Sequence, residues 1–555
     1  AFMGSADDAA FREALLHRLR TVEDRYAALF EEEPSLAEPG TLVFTGGEPD
    51  PDTLATLARL GFKDGERVFH VVANWHRGRT KATRSSRSRE FLTELVPALL
   101  QALGSTAQPD TALAKFDEFL AGLPAGVQLF SMLYANPKLL DLLASIMGAA
   151  PALADTLSRR PNLLEAVLAP DFFEAIPEHA ELLDDLRTAL TDARDFQDVL
   201  DVSRRWVNDR KFQVGVHLLQ HEADVDLVGR ALSDVAEAGL AGIWTPTLDE
   251  FADKHGRLPG PGMAVIAMGK LGGREMTISS DLDLIFVYEA PDGSEPSDGD
   301  KPLEPGRYYA RLAQRLINAV TAPTGEGRLY EVDMRLRPSG ASGPIAVPYS
   351  GFEKYQRNDA WTFEHMALTR ARPVLGDAEL CRRLDGAIRE VLTAPRDRQK
   401  LLADAADMRR RIAQEHKAKH VWQVKHLRGG LVDLEFLAQT LQLAHAPEHP
   451  DVLRPNTQAA FAALARAGAL DGGTAEELVA ATRFMRQIQG MLRLTVGPDF
   501  DEDSAHEGVR RRLAAAVGEP SFDAVRERLV ATAERVRHIF AESIETPSGV
   551  SSDPS

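Results

Sequence analysis

The chain has 555 residues, 44% of them apolar, and a formal charge of −19 from 64 basic and 83 acidic side chains. That length exceeds one ordinary hydrophobic core and divides into roughly three or four units, while the acidic balance argues against a protein whose main task is gripping nucleic acid. A single cysteine, Cys381, excludes an internal disulfide and a thiolate zinc site, and the lack of a membrane-length apolar run or an export signal points to a cytoplasmic protein with no membrane partner.

In chain order, Ala1 to Ser5 read as a cloning remnant, and residues 6–239 form a mainly helical first region. Its helical spacing opens at Phe11, Leu15, Leu16 and Leu19 and returns at Phe91, Leu92, Leu95, Leu99 and Leu100. Thr41 to Gly47 is predicted as a short strand. The stretch His76 to Arg89 carries Arg77, Arg79, Lys81, Arg84, Arg87 and Arg89 and reads as a solvated helix face or a dock for an acidic group. Asn136-Pro137 and Arg160-Pro161 each predict a helix start, since proline suits the first helical turn.

Residues 240–376 form the one mixed α/β region. Met263 to Met268 and Leu282 to Tyr288 are predicted strands, Tyr308 to Val320 a helix, and Arg328 to Leu336 a further strand. Helical spacing resumes over 377–546, where Leu431, Leu434, Phe436, Leu437 and Leu441 give one apolar face of a bundle, and 547–555 reads as a disordered tail.

The chemistry concentrates in Gly269-Lys270-Leu271-Gly272-Gly273-Arg274-Glu275 and Ser279-Ser280-Asp281-Leu282-Asp283. Residues two apart in a strand face the same way, so Asp281 and Asp283 project together. Two carboxylates about 4 Å apart repel by roughly 4 kcal/mol at an effective dielectric near 20, a cost that a divalent cation removes. Oxygen ligands favour Mg2+ or Mn2+. The alternative is a strand end with two solvated aspartates. A glycine turn between the two apolar strands lets backbone amides approach phosphate, with Gly269, Lys270, Gly272, Ser279 and Ser280 as candidate nucleotide contacts. The turn is not a Walker A loop, because Leu271 follows Lys270. Asp333 offers a third carboxylate, and strand alternation puts Arg335 and Arg337 on its face as phosphate clamps.

A glycine, eleven residues, then Asp-Leu-Asp with a later aspartate resembles the DNA polymerase β-like nucleotidyltransferases. The longer string Met268 to Tyr288, with Tyr330 to Pro338, Ser339 to Pro344, Trp361 to Arg372 and Gly429 to Phe436, resembles glutamine synthetase adenylyltransferase, and its attaching, C-terminal half in particular. The resemblance implies a mainly α chain with an embedded α/β nucleotidyltransferase domain, a helical N-terminal region and a C-terminal helical bundle. It also implies two metal ions on Asp281, Asp283 and Asp333, ATP as substrate, transfer of AMP to a tyrosine of glutamine synthetase, and control by the PII signalling protein and glutamine. Where the family turn has Gly-Ser, this chain has Gly269-Lys270, leaving Lys270, Ser279 or Ser280 to contact phosphate. Glu364, His365 and Arg370 lie in a matched block and are secondary candidates. Asp433 and Glu435 diverge on a helix and are expected to cap it or to touch the nucleotide-binding unit. The competing readings are phosphate-dependent AMP removal, a noncatalytic module sensing nitrogen signals, and a nucleic acid polymerase.

Overall fold

A computed structural model describes residues 42–44 and 48–548 apart from 107, 162, 168–169, 174–175, 221–223, 292, 497–499, 503–504 and 506. The predicted remnant Ala1 to Ser5 and the helix at Phe11 to Leu19 lie outside the described residues. So does most of the predicted strand at Thr41 to Gly47; its described part, Leu42 to Phe44, pairs in no sheet. Val43 instead donates its N–H to the hydroxyl of Thr53 at 3.0 Å.

The chain divides into two compact units. The first is bounded by Ala1–Ser105 and Pro124–Leu140, and its described residues hold the helices Pro51–Arg59, Gly65–His76, Ser86–Gly104 and Val127–Ala135. Asp50, Asp64 and Ser85 accept backbone N–H groups at three of these helix starts, which fixes where the helices begin. Leu57, Val68, Val72, Trp75, Leu92, Leu99 and Phe130 fill the core. The basic stretch is a connection and not one helix face. The helix ends at His76, Lys81–Thr83 form a 3-10 turn, and the next helix starts at Ser86. Arg89 holds this connection by donating to the carbonyls of Thr83 (3.2 Å) and Arg84 (2.6 Å).

The second unit comprises Thr106–Leu123 and Asp141–Ser555 and is helical around a small mixed sheet. Around the second predicted proline the helix begins later, at Leu163, and runs only to Ala166. The strands are β1 (Gly262–Ala267), β2 (Leu282–Glu289), β3 (Val332–Asp333), β4 (Ala346–Pro348) and β5 (Arg372–Leu375). β1 lies antiparallel between β2 and β5, and the far edge of β2 pairs in parallel first with β3 and then with β4. The helix Pro305–Thr321 makes the crossover from β2 to β3 that a parallel pair requires, and packs on β3, β4 and the long helix Val225–His255. β1 and β2 are buried on both faces, which is why they read as unbroken apolar runs.

One sheet face joins the C-terminal helices in a single core. Ala264, Ile266, Ile285 and Val287 are continuous with Met366, Leu368, Leu434, Leu437, Phe461 and Met485. Asp283 alternates with Ile285 and Val287 and so faces the same way, toward the helices Leu431–His445 and Gly472–Thr495. Ile544 also belongs to this core, and Ser548 is buried, its hydroxyl donating to the Glu545 carbonyl at 2.6 Å. Pro547 and Ser548 therefore close a helix and do not begin a disordered tail; residues beyond 548 are outside the described set. No single helix among the described residues is long and apolar enough to cross a membrane. One bent pair, Pro137–Ala149 with Pro151–Arg159, passes by length and composition, but its Leu143, Ile146, Leu153 and Leu157 are buried within the protein.

Candidate active site

The site is assembled where β1 stops. Met268 donates its N–H to the Asp283 carbonyl at 2.9 Å, which holds the strand pair together to its last residue. The chain then turns through Gly269, at φ +53°, into the short helix Gly269–Gly272. A Cβ at Gly269 would stand 2.1 Å from an Asp283 carboxylate oxygen. Glycine is therefore demanded by the aspartate as well as by the left-handed backbone. The Gly272 amide is taken by the Met268 carbonyl at 2.9 Å, and a Cβ there would stand 1.9 Å from the Arg370 carbonyl. Gly272 thus lets the Arg370 backbone approach the turn.

Asp281 is exposed just before β2, and Asp283 is half-buried within it. The parallel register sets Asp283 beside Asp333, with Leu282 beside Val332. Burial first, then the charges of Asp281 and Asp333, push the Asp283 carboxyl up to about 6, against the pull of Arg370 and Arg335. Asp283 thus lies in the field of two further carboxylates, a repulsion that a divalent cation would relieve. Among the described residues no three carboxylate, imidazole or thiol groups are already gathered at metal-binding distance. One reason is that Arg335 engages Asp333, through Nε at 2.7 Å and through its backbone N–H at 2.8 Å. Burial opposes ionisation of Asp333, but these bonds outweigh it and hold the carboxyl below its ordinary range. The donor chemistry of Asp281 and Asp283 fits a hard cation, and Asp333 joins them only if Arg335 releases it.

The predicted strand over Arg328 to Leu336 is shortened to Val332–Asp333. The Asp333 side chain accepts the Arg335 N–H, forming an Asx turn that ends the strand, so Asp333, Arg335 and Arg337 do not share one strand face. Arg335 stays exposed at the carboxylates. Arg337 instead clips the following loop, donating to the carbonyls of Met334 (2.9 Å), Ala341 (3.2 Å) and Gly343 (3.2 Å).

Ser280 is buried, its hydroxyl accepting the Thr277 N–H at 2.9 Å. The Ser279 hydroxyl accepts from Arg493 at 3.2 Å, and Arg493 also donates to the Thr277 hydroxyl at 3.1 Å. The Lys270 ammonium donates to Gln489 at 3.3 Å. Burial first, then the cations of Arg493, Lys425 and Arg370, bring it down to about 7 against the pull of Glu435. Of the secondary candidates, Glu364 caps its own helix: it accepts the Trp361 N–H at 2.9 Å and the Tyr355 hydroxyl at 2.8 Å. His365 Nε2 lies 2.8 Å from the Gln356 carbonyl, and burial lowers its basicity.

Arg370 is the centre of an ion-pair chain that links the turn to the C-terminal helices. Its guanidinium meets Glu275 at 2.5 Å and Glu435 at 3.2 Å. Burial disfavours the charge on Glu275, but Arg370, Arg486 and the Thr457 N–H at 2.8 Å overcome it and hold the carboxyl below its ordinary range. Asp433 and Glu435 diverge as expected. Glu435 faces Arg370, while buried Asp433 accepts from Arg409 at 2.6 Å and caps the Gly429 N–H. Glu435 touches the nucleotide-binding unit as the sequence led one to expect, whereas Gln489 and Arg493 were not singled out by the sequence and Glu275 was named only as part of the glycine stretch. Nothing local marks Gln489 or Arg493.

Residues 140–387, which hold the sheet and the three aspartates, match the family model described as glutamate-ammonia ligase adenylyltransferase. Residues 402–544, which hold Glu435 and Arg493, match the model described as GlnD PII-uridylyltransferase. The chain is 44% identical over 543 residues to the bifunctional glutamine synthetase adenylyltransferase/adenylyl-removing enzyme of Mesorhizobium japonicum, covering 97% of this chain and 54% of that one. Proteins of the same name from Brucella melitensis and Rhizobium meliloti are 44% and 42% identical, each over 97% of this chain and 55% of theirs. The chain thus spans about half the length of the curated relatives it matches.

Proposed function

Since the chain is a relative, along nearly its whole length, of about half of the glutamine synthetase adenylyltransferase/adenylyl-removing enzymes, we propose that it transfers AMP from ATP to a tyrosine of glutamine synthetase and releases pyrophosphate. The observation that carries this reading is the register of Asp283 beside Asp333, with Asp281 two residues away, directly under the glycine turn. The sheet with its three aspartates is then a polymerase β-like nucleotidyltransferase unit, and the chain corresponds to the attaching half. Asp281 and Asp283, joined by Asp333, would hold Mg2+ or Mn2+, which supplies charge neutralisation at the triphosphate and acidifies the hydroxyl.

The tyrosine oxygen attacks the α-phosphorus in line. The bond from that phosphorus to the bridging oxygen of the β-phosphate breaks, and its electron pair leaves with pyrophosphate. The hydroxyl proton passes to Asp333, a carboxylate that becomes basic enough only when Arg335 exchanges it for a phosphate oxygen. Lys270 at the turn, half-buried and paired with an amide and not a carboxylate, is suited to the same anion. The match over 402–544 supports the PII protein as a partner, and glutamine as effector and a cytoplasmic setting complete the proposal.

Label supplied as α-labelled ATP with Mg2+ is expected to accumulate on purified unmodified glutamine synthetase. Release of label from the adenylylated form in phosphate, without gain, would make this the removing unit instead. Gly269→Ala is expected to lower transfer by roughly a hundredfold, because its Cβ drives the Asp283 carboxylate out of position. Rates near those of the native chain would remove the aspartate from the centre of the reaction.

A further inference from the structure

Arg493 lies on the helix Gly472–Thr495, 214 residues along the chain from Ser279, yet its guanidinium bonds the hydroxyls of Ser279 and Thr277 beside the aspartates. It is half-buried, and no carboxylate among the described residues lies within ion-pair distance of it. Lys270 is also half-buried, and its bond goes to Gln489 on the same helix, one turn before Arg493, with the charge of Glu435 favouring its ionised form against burial and the neighbouring cations. Arg370 and Arg409 in the same unit are matched by acids, Arg370 by Glu275 and Glu435 and Arg409 by Asp433, while Arg204 is held by the carbonyls of Leu200, Ala319 and Ala322. A half-buried cation held only by neutral groups is expensive unless an anion completes its shell.

The space for that anion is present. A cavity of ≈ 720 Å³ opens beside Ser279, lined also by Lys417, Lys419, Lys425, Gln489 and Arg493; Lys270 adjoins it through its bond to Gln489. Glu415 is the one acid among its described lining residues, in a chain whose overall charge is −19. Cationic crowding is felt by the neighbours: burial, then Lys425, His416 and Arg409, push His426 down to about 4.

We propose that Arg493 and Lys425, with Lys270, form a clamp for the pyrophosphoryl end of the nucleotide, so that the C-terminal helices supply part of the nucleotide site. The inference rests on the functional reading above and names the residues that hold the leaving group. As the bond between the α-phosphorus and the bridging oxygen breaks, the electron pair settles on the departing pyrophosphate, and Arg493 meets that charge with a planar fork of donors. The guanidinium then trades its hydroxyl partners for phosphate oxygens.

Calorimetric titration with inorganic pyrophosphate, ATP, AMP and inorganic phosphate reads this without requiring turnover. For Arg493→Ala and Lys425→Ala, affinity for pyrophosphate and ATP is expected to fall about tenfold or more, with AMP changed less than twofold and Arg493→Lys intermediate. Unchanged pyrophosphate and ATP affinity in Arg493→Ala overturns the clamp. So does equal loss of AMP in Arg493→Ala and Arg493→Lys, which would mark a structural role, and so does inorganic phosphate binding as well as pyrophosphate. The two readings fail separately. Pyrophosphate binding that depends on Arg493 in a chain that labels nothing leaves the clamp and removes the transferase, whereas transfer with an ATP KM indifferent to Arg493→Ala does the reverse.

Discussion

Asp283→Asn is expected to abolish AMP transfer while making the metal-free protein more stable at neutral pH. The Asp283 carboxyl is raised from 3.8 to about 6 by burial and by its two acidic neighbours. Its ionised form is therefore less favourable in the folded chain than in the unfolded one. The sign follows from linkage: this carboxyl contributes nothing unfavourable below pH about 4, and its penalty grows as pH rises through the window to about 6 and is complete above it. At about 1.4 kcal/mol per pKa unit, the full penalty is on the order of 3 kcal/mol. Asparagine keeps the shape and removes the charge. In chelator at pH 7 the variant should unfold at higher temperature than the native chain, and the difference should shrink at pH 4. Added Mn2+ should raise the native transition and leave the variant's unmoved. A variant that is less stable at pH 7, or a native chain indifferent to Mn2+, would contradict a site built to hold a cation.

Arg370→Met is expected to be among the most destabilising single changes in the second unit. The guanidinium is buried between Glu275 and Glu435, and Glu275 is itself buried. Removing one member of a buried pair costs about 3–5 kcal/mol, because the remaining charge has lost its partner. Arg486, 3.9 Å from Glu275, remains and offsets part of the loss. Combining Arg370→Met with Glu275→Gln should recover part of the loss, so that the double variant is more stable than additivity predicts. Denaturant unfolding of the native chain, both single variants and the double variant measures this coupling. Strict additivity would show that the two side chains are neighbours without dependence. Transfer should fall in both singles, since the same chain positions the turn that carries Gly269 and Lys270.

What the sequence made legible was local in character. Asp281 and Asp283 could be placed side by side because strand alternation needs only two residues of spacing, and the glycine turn is read from consecutive letters. The strand at Asp333 was read too long, because the alternation of Arg335 and Arg337 is silent about the Asx turn with which Asp333 ends its own strand. The reason for Gly269 was likewise out of reach: it lies in the 2.1 Å approach of the Asp283 carboxylate from the neighbouring strand. Partners far along the chain left no periodic trace. Arg370 meets Glu275 across 95 residues, and Arg493 meets Ser279 across 214. The mainly helical character with one mixed sheet was legible, since helical spacing and apolar runs survive in single segments. That one face of this sheet shares its core with the C-terminal helices was not, because a shared core is a property of packing between segments.

The measurement closest to the central claim is the intact mass of glutamine synthetase subunits after incubation with ATP, Mg2+ and this chain, compared with incubation with its Asp281→Asn variant. The account predicts a gain of one adenylyl group per modified subunit, with pyrophosphate released in equal amount, and no gain with the variant. Unchanged mass with the native chain in the presence of PII and glutamine, or an equal gain with Asp281→Asn, would contradict it.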